Sequence, residues 1–247
     1  MSSAGPLDIP ADAVRVWRGF RAPEMELDAF FTRLGAVFVP ATVEMQIEAG
    51  LDAYIPSVPA ALPDKPESVP DETAILFWDS QQTYTDGFNK LAVRTYTLTH
   101  GAVYTPTSGA AFPVLFDGAL VRDQPIHLVD HPADWMTGSV RHLIGSRPDG
   151  ASPAEFATEV AGGLSAIQAA GAVDGAIACA GEDYLVYWAL GGDGDDGIDA
   201  LARLCDWHHI AVPVPTRLEK GMWDEWPGMT VKSGDSFNMQ FARRWEH

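Results

Sequence analysis

Apolar positions recur along the chain with two different periods, and those periods divide it into strands and helices. Val14-Arg-Val-Trp-Arg-Gly-Phe20 alternates as a half-buried strand does. Ala22-Pro23-Glu24 then opens a helix expected through about Phe38, and Leu51–Ser57 reads as a second strand. Ile75–Trp78 and Leu185–Trp188 are short aliphatic and aromatic runs, the signature of buried strands. Phe88, Leu91, Ala92, Thr95, Leu98, Thr99 and Ala102 fall on one face of a helix. Ile198, Leu201, Ala202, Cys205, His208, His209 and Val212 do the same further on, until Pro213 and Pro215 stop the run. In the second half Pro125–Val129 predicts a strand. Ser152 as N-cap and Pro153 at the first helical position predict a helix to about Ala170. Ala180-Gly-Glu-Asp183 predicts a tight hairpin turn, and closing strands are expected near Ala111–Phe116 and Ser236–Trp245.

A search for internal repeats brings these elements into order. Glu72-Thr-Ala-Ile-Leu-Phe-Trp78 lines up with Glu182-Asp-Tyr-Leu-Val-Tyr-Trp188, a shift of 110 residues. The same shift sets Asp86-Gly87 and Leu91-Ala92 on Asp196-Gly197 and Leu201-Ala202. Each half therefore reads β-α-β-β-α with a closing strand. The predicted class is α+β, with two tandem ferredoxin-like βαββαβ repeats. Residues 1–13 form a lead, 14–118 the first repeat, and 119–245 the second with a Trp-rich C-terminal segment. A Pro-rich insert, Pro56–Pro70, distinguishes the first copy, and extra chain at Asp134–Gly150 the second.

Composition then removes several function classes. At 47% hydrophobic and 20% charged, the chain has too much apolar content for disorder. Its longest apolar run, near Gly171–Ala180, is broken by Asp174 and Gly175, so no bilayer span is expected. With 34 acidic residues against 16 basic, the net charge of −18 repels nucleic acid and anionic membranes. Cys179 and Cys205 are too few for a disulfide framework and read as buried thiols. Met1–Asp8 has neither a basic stretch nor an apolar core, so a cytoplasmic protein is expected.

An aliphatic strand ending in Phe-Trp78, followed by Ser80 and Tyr84 before a helix, resembles the dimeric α/β-barrel superfamily. That superfamily includes antibiotic-biosynthesis monooxygenase-like, EthD-like, YciI-like and chlorite dismutase-like proteins. The second copy keeps Trp188 but has Leu190 and Gly194 where the pattern asks for Ser and Tyr. The resemblance implies two ferredoxin-like halves packed sheet against sheet within one chain. It also implies a small apolar or aromatic ligand between a sheet and its helices. Members range from cofactor-free oxygenases and cyclases to haem enzymes and proteins without known chemistry, so fold alone selects no reaction.

Candidate chemistry follows from residue type and place. Trp17, Trp78, Tyr84 and Tyr187, on or beside strands, are the candidate ligand-binding residues. His127 and His208 are the candidate acid–base residues of a cofactor-free oxygenase, isomerase or cyclase. His208 is expected on a helix face turned toward the sheet. By the resemblance it, or less readily His142, is the axial ligand in an alternative haem-binding reading. A third reading is a non-catalytic binding or assembly module, and a homo-oligomer fits any of the three. His127 and His131 lack the spacing of a metal site, and Gly192–Asp199 puts Leu204 where a calcium loop needs its bidentate glutamate. No metal is expected. The apolar indoles of Trp223, Trp226 and Trp245 predict a tail docked on the body or on a partner subunit.

Overall fold

Alternation along Val14–Gly19 (β1) sends Val14 and Val16 to one side and Arg15 and Trp17 to the other, and every layer of the molecule follows from that division. The computed structural model describes residues 8–191 and 196–218, with the backbone of Met229–Val231 and Met239–Phe241. The predicted Ser236–Trp245 strand, the three tail tryptophans and the Gly192–Asp195 part of the acidic loop fall wholly or largely outside the described residues.

After β1 come α1 (Leu27–Arg33), a π-helical stretch Leu34–Phe38, and α2 (Val39–Gln46). Pro40 accounts for the widened turn: it has no N–H to donate, and its ring crowds the carbonyl four residues back. The chain continues through β2 (Leu51–Ser57), β3 (Glu72–Trp78), α3 (Gln81–Phe88), α4 (Leu91–Thr99) and β4 (Gly109–Ala111). The sheet order is β2–β3–β1–β4, all antiparallel, with Thr216–Arg217 added outside β2. The second sheet is built from β5 (Val140–Ser146), β6 (Gly175–Ala180), β7 (Tyr184–Leu190) and β8 (His208–Ala211), in the order β8–β5–β7–β6. Its helices are α5 (Pro153–Ala170), which connects β5 to β6, and α6 (Ile198–Ala202), between β7 and β8. Ser152 and Glu155 cap α5 reciprocally, at 3.2 and 2.8 Å.

The two sheets face each other. Val14, Val16, Ile55, Ile75 and Phe77 pack against Val140, Ile144, Ile177, Val186 and Trp188 in one core. Arg18 crosses that seam to Tyr184 (2.7 Å) and Asp123 (2.7 Å). Helices cover the outer side of each sheet with separate cores. The fold is thus α+β, and among the described residues no helix is long and apolar enough to cross a membrane.

Several predicted elements are corrected. The strand that stands in the second sheet where β1 stands in the first is Val140–Ser146, inside the stretch set aside as extra chain. Ile126–His127 is a two-residue strand beyond β6. The helix predicted for residues 198–212 ends at Ala202, and His208 lies on β8, paired with Gly145. Here β5 has an open edge, and the backbone groups of His208–Ala211 are satisfied by pairing with it rather than by a helical turn. The helix predicted from Phe88 breaks at Asn89-Lys90, and its first part starts earlier, where Ser80 accepts from the Thr83 N–H at 3.1 Å. The strand predicted at Ala111–Phe116 splits at Pro113, after which Val114–Leu115 joins the second sheet in parallel with Ile126–His127. The 110-residue shift also inverts a face: Trp78 points to the helices and Trp188 into the seam. A one-residue slip has that effect in any strand.

Candidate small-molecule site

On the helix side of the first sheet lies a cavity of about 660 Å³. Its floor is the row Arg15 and Trp17 on β1 beside Glu72, Leu76 and Trp78 on β3, residues two or four apart on each strand and so on one face. Ala74, opposite Trp17, keeps that floor low. Phe38 and Thr42 from the α1–α2 arm, Tyr84 from α3, Tyr96 from α4, and His100 and Tyr104 beyond it form the walls. Gly19 makes room for one of them: a Cβ there would sit 2.6 Å from the Tyr104 ring.

Glu72 is fully buried and is the hub of one end. Its carboxyl accepts from Trp17 Nε1 (2.7 Å), Tyr54 OH (3.0 Å) and Tyr104 OH. Burial raises its pKa, and the three donors oppose that rise by favouring the anion. Both phenols are pushed well above the usual tyrosine value, first by burial and then by the neighbouring carboxylate, so they remain donors. At the other end the Arg15 guanidinium lies 4.0 Å from the Tyr84 ring centre and 5.3 Å from that of Phe112. Its Nη2 donates to the Ala110 carbonyl at 2.7 Å.

His100 stands between these ends, edge-on to Trp17, Phe38 and Tyr96 at 5.1, 4.9 and 4.8 Å. Its Nδ1 donates to the Thr97 carbonyl (3.1 Å), which leaves the basic lone pair on Nε2. Burial lowers its pKa and the charge of Arg15 acts the same way, against the raising effect of the Thr97 and Tyr96 carbonyls, so the neutral imidazole is favoured. A neutral imidazole in an aromatic pocket can accept a proton. The carboxyl cluster can hold a hydroxyl or carbonyl in register, and the rings supply apolar area for a planar molecule.

Of the residues predicted from sequence, Trp17, Trp78 and Tyr84 line this cavity. Tyr187 is in the other half, fully buried under α5 and α6, with its hydroxyl donating to the Asp196 carbonyl at 3.0 Å. His127 is buried away from the cavity, its Nδ1 donating to Val129 O at 3.0 Å. His208 is exposed on β8. His142 is fully buried in the seam, stacked 4.4 Å from Trp188 and pushed down to about 3 by burial. Neither His208 nor His142 borders the cavity, so neither is placed to be the axial ligand of a haem bound there. Both cysteines are buried, their thiols pushed up to about 12, which removes them as nucleophiles. Among the described residues no group of three or more His, Cys, Asp or Glu could hold a metal. Sequence reasoning missed Arg15, Tyr54, Glu72, Tyr96, His100 and Tyr104. The period of two would have found the first and third, since Arg15 shares a face with Trp17, and Glu72 with Trp78.

No family model and no curated protein matches the chain. Solved structures with some likeness include a candidate monooxygenase from Fusobacterium nucleatum, at 10% identity and TM-score 0.36, covering 84% of this chain and 94% of that one. A second candidate monooxygenase, from Lactobacillus acidophilus, gives 9% identity and TM-score 0.33 over 84% and 96% of the two chains. An anthrone oxidase-like protein gives 10% and 0.38 over 85% and 96%. At these scores the likenesses carry no argument about chemistry, and the cavity has to be read from its own residues.

Proposed function

We propose that this protein binds a small, largely aromatic molecule in the cavity of its first half and acts on it without a cofactor, with His100 as the proton acceptor. Oxidation, isomerisation and cyclisation of such a molecule share a first step, removal of an acidic C–H or O–H proton, and a neutral imidazole suits that step. The observation that carries the reading is the meeting of His100, Glu72 and a ring of Trp and Tyr side chains on one cavity of about 660 Å³. That volume falls in the range of small-molecule sites. The architecture proposed for it is two diverged ferredoxin-like units, residues 14–111 and 140–211, closed sheet to sheet. In support, each main sheet places its unit's fourth, first, third and second strands side by side.

The test is to fill the space. Ala110 sits on the edge strand β4 opposite Trp17 and lines the cavity. Ala110→Trp is expected to abolish quenching of tryptophan fluorescence by 2-naphthamide, with the circular dichroism spectrum unchanged. Equal binding by the filled variant and the wild type would overturn the assignment of the ligand to this cavity.

A further inference from the structure

Arg15 is a feature of the cavity that binding of an apolar ring does not explain. It carries a permanent charge, and its buried Nε has no hydrogen-bond partner. Among the described residues no carboxylate lies within ion-pair distance of it. The chain has 34 acidic residues against 16 basic ones, so a carboxylate is easy to supply. Arg18, Arg122, Arg141 and Arg147 each have one.

Arg141 makes the closest contrast. It is the second residue of β5 as Arg15 is of β1, and each first strand lies centrally in its sheet. Arg141 Nη1 meets both oxygens of Asp196, at 2.9 and 3.0 Å. At the corresponding place in the first half there is open cavity. A tyrosine face and one carbonyl stabilise a guanidinium but do not neutralise it, and burial works against the charge.

We propose that the ligand of this cavity is an aromatic carboxylate, and that its carboxylate binds Arg15 as Asp196 binds Arg141. The proposal rests on the cavity being a small-molecule site, and it adds the ligand's charge and orientation. Two acidic side chains, Glu24 and Glu72, also line the cavity. Glu72 is four residues along β3 from Leu76, the cross-strand partner of Arg15, a distance of about 13 Å on a strand. The ligand's charged end is thereby held at Arg15, away from Glu72, with its apolar rings turned toward Trp17 and His100.

The experiment compares 2-naphthoate with 2-naphthamide, nearly equal in shape and different in charge, by isothermal titration calorimetry. The wild type is expected to bind the acid at least ~10-fold more tightly, the equivalent of about 1.4 kcal/mol. Raising the salt concentration should narrow that gap. Arg15→Gln is expected to bring the acid down to the level of the amide, and Arg15→Lys to restore part of the preference. Equal binding of acid and amide by the wild type overturns the proposal and leaves the small-molecule reading standing. An acid preference that survives Arg15→Gln overturns it too. If neither probe binds the wild type, the small-molecule reading fails first. The comparison of acid and amide needs only the wild type, so it decides the matter even if Arg15→Gln does not fold.

Discussion

Trp17 on β1 and Leu143 on β5 stand at corresponding places in the two sheets, and each has a cross-strand neighbour on either side. Beside Trp17 these are Ala74 and Ala110; beside Leu143 they are Tyr187 and Ile210. Where the first sheet continues to Glu72, the second has Leu185, buried under Phe156, Val160 and Leu164 of α5. Where the first has Arg15 facing open space, the second has Arg141 closed by Asp196. One half spends its helix-facing surface on packing, and the other leaves a polar-ended cavity. The same type of scaffold therefore serves as core in one place and as site in the other, and small residues opposite large ones make the difference.

Ring deletion should separate the two halves most strongly. Tyr187→Ala removes a fully buried ring from a filled layer and is expected to cost about 3–5 kcal/mol in urea unfolding. Tyr84→Ala removes a ring that already borders open space, and about 1–2 kcal/mol is expected from its lost contacts with Arg15, Trp78 and Phe112. Similar losses in both variants would erase the distinction between core and cavity.

Acid is the next probe. His142 lies in the packed seam with its pKa pushed down to about 3, so the unfolded chain takes up that proton before the folded one does. Its contribution is complete above about pH 6.5 and declines as the pH falls toward 3. Between pH 6.5 and 5 stability should drop by about 2 kcal/mol on its account, measured as urea midpoints. His142→Phe should remove that slope, whereas His100→Phe, at a less buried site with a smaller shift, should remove little of it.

The smallest effect concerns the paired arginine. Asp196→Asn weakens the contact with Arg141 and is expected to cost about 1 kcal/mol, since Arg141 is about a third exposed. Arg15→Gln loses the Tyr84 contact and the bond to the Ala110 carbonyl but also relieves a buried charge, so its net cost without ligand should be no more than about 1 kcal/mol. A loss well beyond that in thermal melts would mean that Arg15 is structural.

The α+β class, β1 to β3, the hairpin of β6 and β7 and the capped helix α5 can all be read from period and capping residues. What could not be read was register. Identity between Glu72–Trp78 and Glu182–Trp188 suggested one alignment, yet the sheet pairs Arg15 with Leu76 and Arg141 with Ala189, and Trp78 and Trp188 face opposite ways. Strand pairing across about fifty to sixty residues is set by packing between the sheets, which no local pattern records. The site suffered for the same reason. His100 sits at the end of a helix, and only tertiary packing brings it against Trp17. His208 carried a helical period that the open edge of β5 overrode.

The seam between the sheets also imposes an order on synthesis. Val14, Val16, Ile55 and Phe77 leave the ribosome long before Val186 and Trp188, the residues that cover them. At ordinary elongation rates the interval is about 5–20 s. During that time the half that carries the cavity holds an apolar sheet face open to water, and it cannot complete its fold until the other half arrives. Chaperone dependence and aggregation of truncated chains should therefore be concentrated in nascent chains that end between β3 and β7.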